Sequence, residues 1–150
     1  MWDFAPKNEM AVSDLFVQIA AMGENIEGIT ILGGEPLDQY EETLLLLRLC
    51  NKAGLSTMLY TGHELREIGQ KGLSDVQKEL DILITGRYEE NKRTLQHQWI
   101  GSTNQEIHFL SSRYSNDNIR DGNYMEVTLD EDGSLTVLGF PPDNKGLGAH

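Results

Sequence analysis

Three short apolar runs constrain this chain most: Gly28-Ile29-Thr30-Ile31-Leu32, Ser56-Thr57-Met58-Leu59-Tyr60 and Asp81-Ile82-Leu83-Ile84-Thr85. Each has the length of a strand, and continuous apolar character is what a strand buried on both faces requires. Helical patterns lie between them. Asp38 with Glu41 three residues on resembles a capping box, and the leucine-rich stretch from Tyr40 to Ala53 stops at Gly54, a common helix terminator. His63 to Gly69 and Ser74 to Leu80 read as two short helices ahead of the third run. Upstream, Val12, Leu15, Phe16, Ile19 and Met22 recur at three- and four-residue steps, which lines one face of a helix between Met10 and Met22. Strands alternating with helices predict an α/β fold built on a parallel sheet.

After Gly86 the character changes. Arg87 to Thr103 is polar and weakly periodic, Glu106 to Leu110 reads as another strand, and Ser111 to Gly122 is a polar loop expected to be the most mobile stretch. Met125, Val127 and Leu129 alternate with polar partners, Asp130-Glu131-Asp132-Gly133 supplies a turn, and Leu135 and Val137 resume the alternation, which predicts a β-hairpin over 123–140. The end, Pro141 to His150, is expected to fray. A length of 150 residues fits one domain and is too short for a closed eight-stranded barrel of about 250 residues.

Acidic residues outnumber basic ones 24 to 12, so the net charge of -12 disfavours nonspecific binding to nucleic acid. No stretch approaches the roughly 20 apolar residues of a membrane span, and the amino-terminal Met1 to Pro6 lacks a basic region followed by an apolar run, so a cytoplasmic protein is expected. Cys50 is the only cysteine, which excludes an internal disulfide.

The stretch richest in chemistry is Gly33-Gly34-Glu35-Pro36. Two glycines at the carboxyl end of a buried strand let a ligand touch bare backbone, and a glutamate there can accept from a cationic amine. Ligands bind at the carboxyl ends of parallel strands. The plainer alternative is a turn whose glycines serve geometry alone, with Glu35 solvated.

Here the sequence resembles the radical S-adenosylmethionine superfamily, in which a Gly-Gly-Glu-Pro motif follows the second strand and contacts the amino group of the methionine moiety. It is most similar to the short activating enzymes of glycyl-radical enzymes, such as the activating protein of anaerobic ribonucleotide reductase. Trp2-Asp3-Phe4 looks like the segment just after the cluster motif, Ile31 to Pro36 like the methionine site, and Tyr60-Thr61-Gly62 like the end of the third strand. Asp81 to Tyr88 resembles the next strand with its Asp-Gly-basic-aromatic turn, and Gly101-Ser102-Thr103-Asn104-Gln105 resembles a Gly-Ser-Ser-Asn-Gln signature. Gly139-Phe140-Pro141 resembles the carboxyl end of several short activases, with weak specificity.

The resemblance implies a partial (βα) barrel spanning 1–150, with a core over 10–110, lacking its first strand. It implies S-adenosylmethionine as cofactor, with Gly33, Gly34, Glu35 and Pro36 at the methionine end and Tyr60, Thr61 and Gly62 near the ribose. Gly101, Ser102, Thr103, Asn104 and Gln105 would shape access for a loop of the glycyl-radical enzyme partner. The family generates a 5′-deoxyadenosyl radical that removes hydrogen from a glycine of that partner.

Three departures qualify it. The family holds a [4Fe–4S] cluster on Cys-x3-Cys-x2-Cys, because three thiolates fix three irons and leave the fourth for the ligand. None of that motif is here, so no cluster is expected in this chain, which is expected to be a fragment of an activase, inactive by itself. Thr85 stands where the family commonly has aspartate, and Ile100 where an arginine often precedes the Gly-Ser signature. Losing the first strand would leave the Gly28 to Leu32 strand with an open edge, which predicts pairing into a homodimer.

Other candidates read more plainly. Cys50 on a leucine-rich helix suits a buried small hydrophobe. His63 follows Thr61-Gly62 but lacks spaced partners and is expected to be solvated, and His97 and His108 have no companions at zinc-ligand spacing. Arg87, Lys92 and Arg93 form a basic island that would suit a carboxylate or an acidic partner loop, or would simply face water. Two alternatives are compatible with the sequence: a cluster-free paralogue working as a binding or assembly module, and an open α/β domain for a nucleotide or flavin. The latter lacks a Gly-x-Gly-x-x-Gly loop after every strand.

Overall fold

A computed structural model gives the structure of the protein and describes residues 10–95, 99–118, 124–129 and 135–139. Helix α1 (Val12–Ala21) leads into β1 (Gly28–Gly33), then α2 (Tyr40–Lys52), β2 (Ser56–Tyr60), short helices α3 (Leu65–Gln70) and α4 (Asp75–Lys78), and β3 (Ile82–Thr85). Strands β4 (Glu106–Phe109), β5 (Tyr124–Leu129) and β6 (Leu135–Gly139) complete it. Among the described residues the six strands form one sheet in the order β4-β3-β2-β1-β5-β6. β1, β2 and β3 are parallel, β5 is parallel to β1, and β4 and β6 run antiparallel to β3 and β5. The expected α/β class and mostly parallel sheet are therefore present.

Alternation along the strands divides the core. Ile29, Ile31, Leu59, Leu83 and Val127 face one side, where they pack with Leu15 and Ile19 of α1, Leu47 and Cys50 of α2, Ile68 of α3 and Val76 of α4. All four helices thus cover one face. On the other face Met58, Ile82 and Ile84 are covered by Tyr60, Trp99, Ile100 and Ile107. Ile100, the position where a basic residue was considered, is an apolar plug in that second cluster.

The argument from an open sheet edge is corrected. The outer edge of β1 is closed, because β5 pairs with it in parallel from Gly28↔Tyr124 to Gly33↔Leu129, so the open edge on which dimerisation was argued does not exist. The stretch after β4 is tied down at its start: the Ser111 hydroxyl and the Arg113 guanidinium bind the Asp81 carboxylate, and the Tyr114 hydroxyl binds Glu27. Asp81 and Glu27 stand at the amino ends of β3 and β1, so Ser111, Arg113 and Tyr114 fasten the chain to that end of the sheet. The turn at 130–133, Trp2-Asp3-Phe4, His97 and Pro141 to His150 lie outside the described residues.

Candidate functional site

The site starts at the end of β1. Gly33 has φ +103°, a conformation that side chains with a Cβ rarely adopt, and the turn it makes delivers Glu35 back over the strand ends. No capping box forms at Asp38; instead Pro36–Gln39 is a 3-10 turn that Glu35 caps, with Pro36 in its first turn. The Glu35 Oε1 accepts from the Leu37 N–H at 3.0 Å, and the Thr43 hydroxyl donates to the Pro36 carbonyl at 2.8 Å, fastening this turn to α2.

Glu35 also reaches the end of β2. Its Oε1 accepts from the Thr61 hydroxyl and its Oε2 from the Gly62 N–H, both at 2.8 Å. One half-buried carboxylate therefore joins the Gly-Gly-Glu-Pro turn to Thr61-Gly62 through three donors, leaving part of its acceptor capacity unspent. The solvated alternative for Glu35 is excluded. A Cβ at Gly62 would lie 3.4 Å from Glu35 Oε2 and 3.2 Å from Arg87 Cγ, so the glycine admits both side chains to one place. Tyr60 does not join them: its hydroxyl donates to the Trp99 carbonyl and its ring packs in the second cluster.

The ends of β2 and β3 are tied by backbone, Thr61 N–H to Ile84 O and Gly86 N–H to His63 O. His63 is 9% exposed, not solvated as expected, with Nδ1 3.4 Å from Lys71 Nζ. Thr85, 2% exposed, places its hydroxyl 2.8 Å from His108 Nε2, and this pairing fills the position where a carboxylate was considered.

Gly101 to Gln105 lies at the same end, ahead of β4, and is spent on holding itself to the turn after β3. Gln105 Oε1 accepts from the Gly101 and Ser102 N–H groups while its Nε2 donates to the Gly86 carbonyl. Asn104 Nδ2 donates to the Arg87 carbonyl at 2.7 Å, and the fully buried Ser102 hydroxyl accepts from the Glu89 N–H. Thr103 is exposed. Sequence reasoning missed this fastening role, which depends on side chains meeting backbone fifteen or so residues away. It also missed Arg66, which lines a cleft of about 550 Å³ together with Gly62, Thr85, Arg87, Lys92 and Asn104.

Cluster binding fails on these residues. Among the described residues there is no group of three or more His, Cys, Asp or Glu side chains able to hold a metal ion. Cys50 has no exposed surface and sits in the helix-side core, where burial pushes its thiol up to about 12, the opposite of a metal-binding thiolate. No helix among the described residues is long and apolar enough to cross a membrane.

A mostly parallel sheet whose glycine-bearing loops meet at the carboxyl ends of β1, β2 and β3 defines an α/β domain of the kind that carries its ligand at strand ends. Within that class the chain belongs to the 4Fe-4S single cluster domain family, whose pattern matches residues 1–108. No curated protein and no solved structure matches the chain. Membership makes iron–sulfur chemistry a property of the family; the donor set described here does not supply it.

Proposed function

We propose that this chain is the S-adenosylmethionine-binding portion of a glycyl-radical enzyme activase, with its sheet forming one side of a partial (βα) barrel. The observation that carries the reading is the Glu35 junction: a carboxylate from the turn after β1 joined to Thr61 and Gly62 after β2. In this reading Gly33, Gly34 and Pro36 shape the pocket floor, Glu35 accepts from the ligand's ammonium with its remaining lone pair, and Thr61 and Gly62 lie toward the ribose. Helices gathered on one face of the sheet are in keeping with a partial barrel. Gly101 to Gln105 would frame access for a glycyl-radical enzyme by being rigid, since the side chains of Ser102, Asn104 and Gln105 are bonded to backbone. The radical step is not assigned to residues of this chain, because they do not fit the cluster.

The test compares ligands that differ only at the methionine end. S-adenosylhomocysteine keeps the amino and carboxylate groups, and methylthioadenosine lacks both. Calorimetry is expected to show S-adenosylhomocysteine binding at least about tenfold more tightly, a difference of about 1.4 kcal/mol, and Glu35→Gln is expected to erase the difference. Equal affinities in the native protein would refute the reading.

A second reading, a binding module that works without iron, is favoured by one observation, the burial of the sole cysteine. Intact mass and iron content of the protein from its native cell separate the two. A longer chain carrying Cys-x3-Cys-x2-Cys and iron supports the activase; an iron-free chain of this sequence supports the module.

A further inference from the structure

While β5 closes the flank of β1, the far side of the sheet ends at β4, whose one strand neighbour among the described residues is β3. The Leu110 N–H donates to the Asp81 carbonyl, and bonded positions alternate along an antiparallel pair. Glu106, His108 and Leu110 therefore turn their backbone groups toward β3, while Ile107 and Phe109 turn theirs away. Those outward N–H and C=O groups have no hydrogen-bond partner among the described residues. The usual guards of such an edge are missing from β4: it has no proline and no lysine, its register with β3 is unbroken by a bulge, and its one acidic residue, Glu106, stands at its first position.

Apolar surface stays open at the same edge. Trp99, Ile107 and Phe109 pack against Met58, Ile82 and Ile84 on the face opposite the helices, and all three are only half-buried. The edge also complements itself. When identical strands pair about a two-fold axis, one register sets Ile107 of each copy against Phe109 of the other, and each of these two pairs exchanges two backbone bonds, so every outward group of β4 is used. That register places His108 against His108 of the second copy on the axis. It puts Glu106 opposite Leu110 instead of a second carboxylate, and Ile107 beside Phe109 on the apolar face.

We propose that β4 is an interface for a second copy of this chain, paired antiparallel about His108 so that the two sheets run on as one. A second copy is the occupant because this register satisfies both edges at once and extends the half-covered apolar face of each across the axis. The contact is small, four residues of strand from each copy, so a dissociation constant between about 1 µM and 1 mM is expected. The pairing uses no group of the Glu35 junction and does not depend on what binds there.

Sedimentation equilibrium of the whole chain reads the dimer, and Ile107→Pro tests the edge, since it deletes an outward N–H and leaves the bonds to β3 in place. The variant is expected to raise the dissociation constant tenfold or more while circular dichroism shows it folded. Cross-linking tests the register without relying on that variant. His108→Cys would bring two sulfurs together at a non-bonded pair, with Cα atoms about 4.5 Å apart, within disulfide range. Oxidised glutathione is expected to link it into a dimer at least tenfold faster than Val17→Cys, a cysteine placed at a 65% exposed position of α1, while Cys50 has no exposed surface and stays out of the reaction. The proposal is overturned if the native chain stays monomeric up to about 1 mM, if folded Ile107→Pro dimerises as the native chain does, or if His108→Cys links no faster than Val17→Cys.

Discussion

Glu35 holds two strand ends together, and removing it should cost stability before it costs any ligand. Its carboxylate accepts from Leu37 N–H at 3.0 Å, Thr61 Oγ1 at 2.8 Å and Gly62 N–H at 2.8 Å. A hydrogen bond to a charged group contributes about 1.5–3 kcal/mol, and three would sum to far more if the donors were left dry. The site is half-buried, so water reclaims much of that, and Glu35→Ala should cost about 3 kcal/mol. Glu35→Gln keeps an oxygen for Leu37 and Thr61 but turns an NH2 group toward the Gly62 N–H, so about half the loss remains. Urea unfolding reads both. With a slope of about 2 kcal/mol/M, the midpoint should fall by about 1.5 M for alanine and about 0.7 M for glutamine, with the slope unchanged. If Glu35→Ala unfolds within about 0.2 M of the native protein, the carboxylate does not clamp β1 to β2 and the junction is wrong.

Asp81 is buried and accepts from the Thr57 N–H at 2.9 Å as well as from Ser111 and Arg113, so Asp81→Ala should lower stability by about 2–3 kcal/mol in the same urea assay. Cys50 should resist thiol reagents at pH 8 until the protein unfolds. Because burial raises its folded value to about 12 from an ordinary 9.0, its contribution to stability is full below pH 9 and is lost as pH rises toward 12, which base titration of the unfolding midpoint checks. Gly86→Ala should destabilise by about 1–3 kcal/mol, since Gly86 has φ +97° and a Cβ there would sit 3.3 Å from the Asn104 carbonyl oxygen; thermal unfolding measures it.

The three buried strands were legible because each is a continuous apolar run, and β1, β2 and β3 fall on Gly28–Gly33, Ser56–Tyr60 and Ile82–Thr85. Helix α2 was legible from its leucines, but not its start: Glu35 and the following 3-10 turn take over the entry, which leaves Asp38 exposed and uninvolved. The closing of the β1 edge was not legible. Nothing local in Met125, Val127 and Leu129 says which strand they will join, and the β1 register they take up pairs residues about a hundred positions apart. The same limit hid Arg66, which reads as one more surface charge on a short helix until β3 sets Arg87 into the same cleft.

The Gly-Gly-Glu-Pro turn carries both a structural and a chemical demand, and the two reinforce each other. Gly33 must take positive φ for Glu35 to come back over β2, and Glu35 must accept with both oxygens to hold Thr61 and Gly62. A carboxylate so fixed is also preorganised for a cation, since it loses no further side-chain freedom on binding one. Cys50 shows the contrary case: a residue type that metal chemistry needs, placed where burial forbids it. The candidate site is therefore defined by which polar groups the fold leaves with spare capacity. By that measure the Glu35 carboxylate, with three donors already in place, keeps capacity for one more.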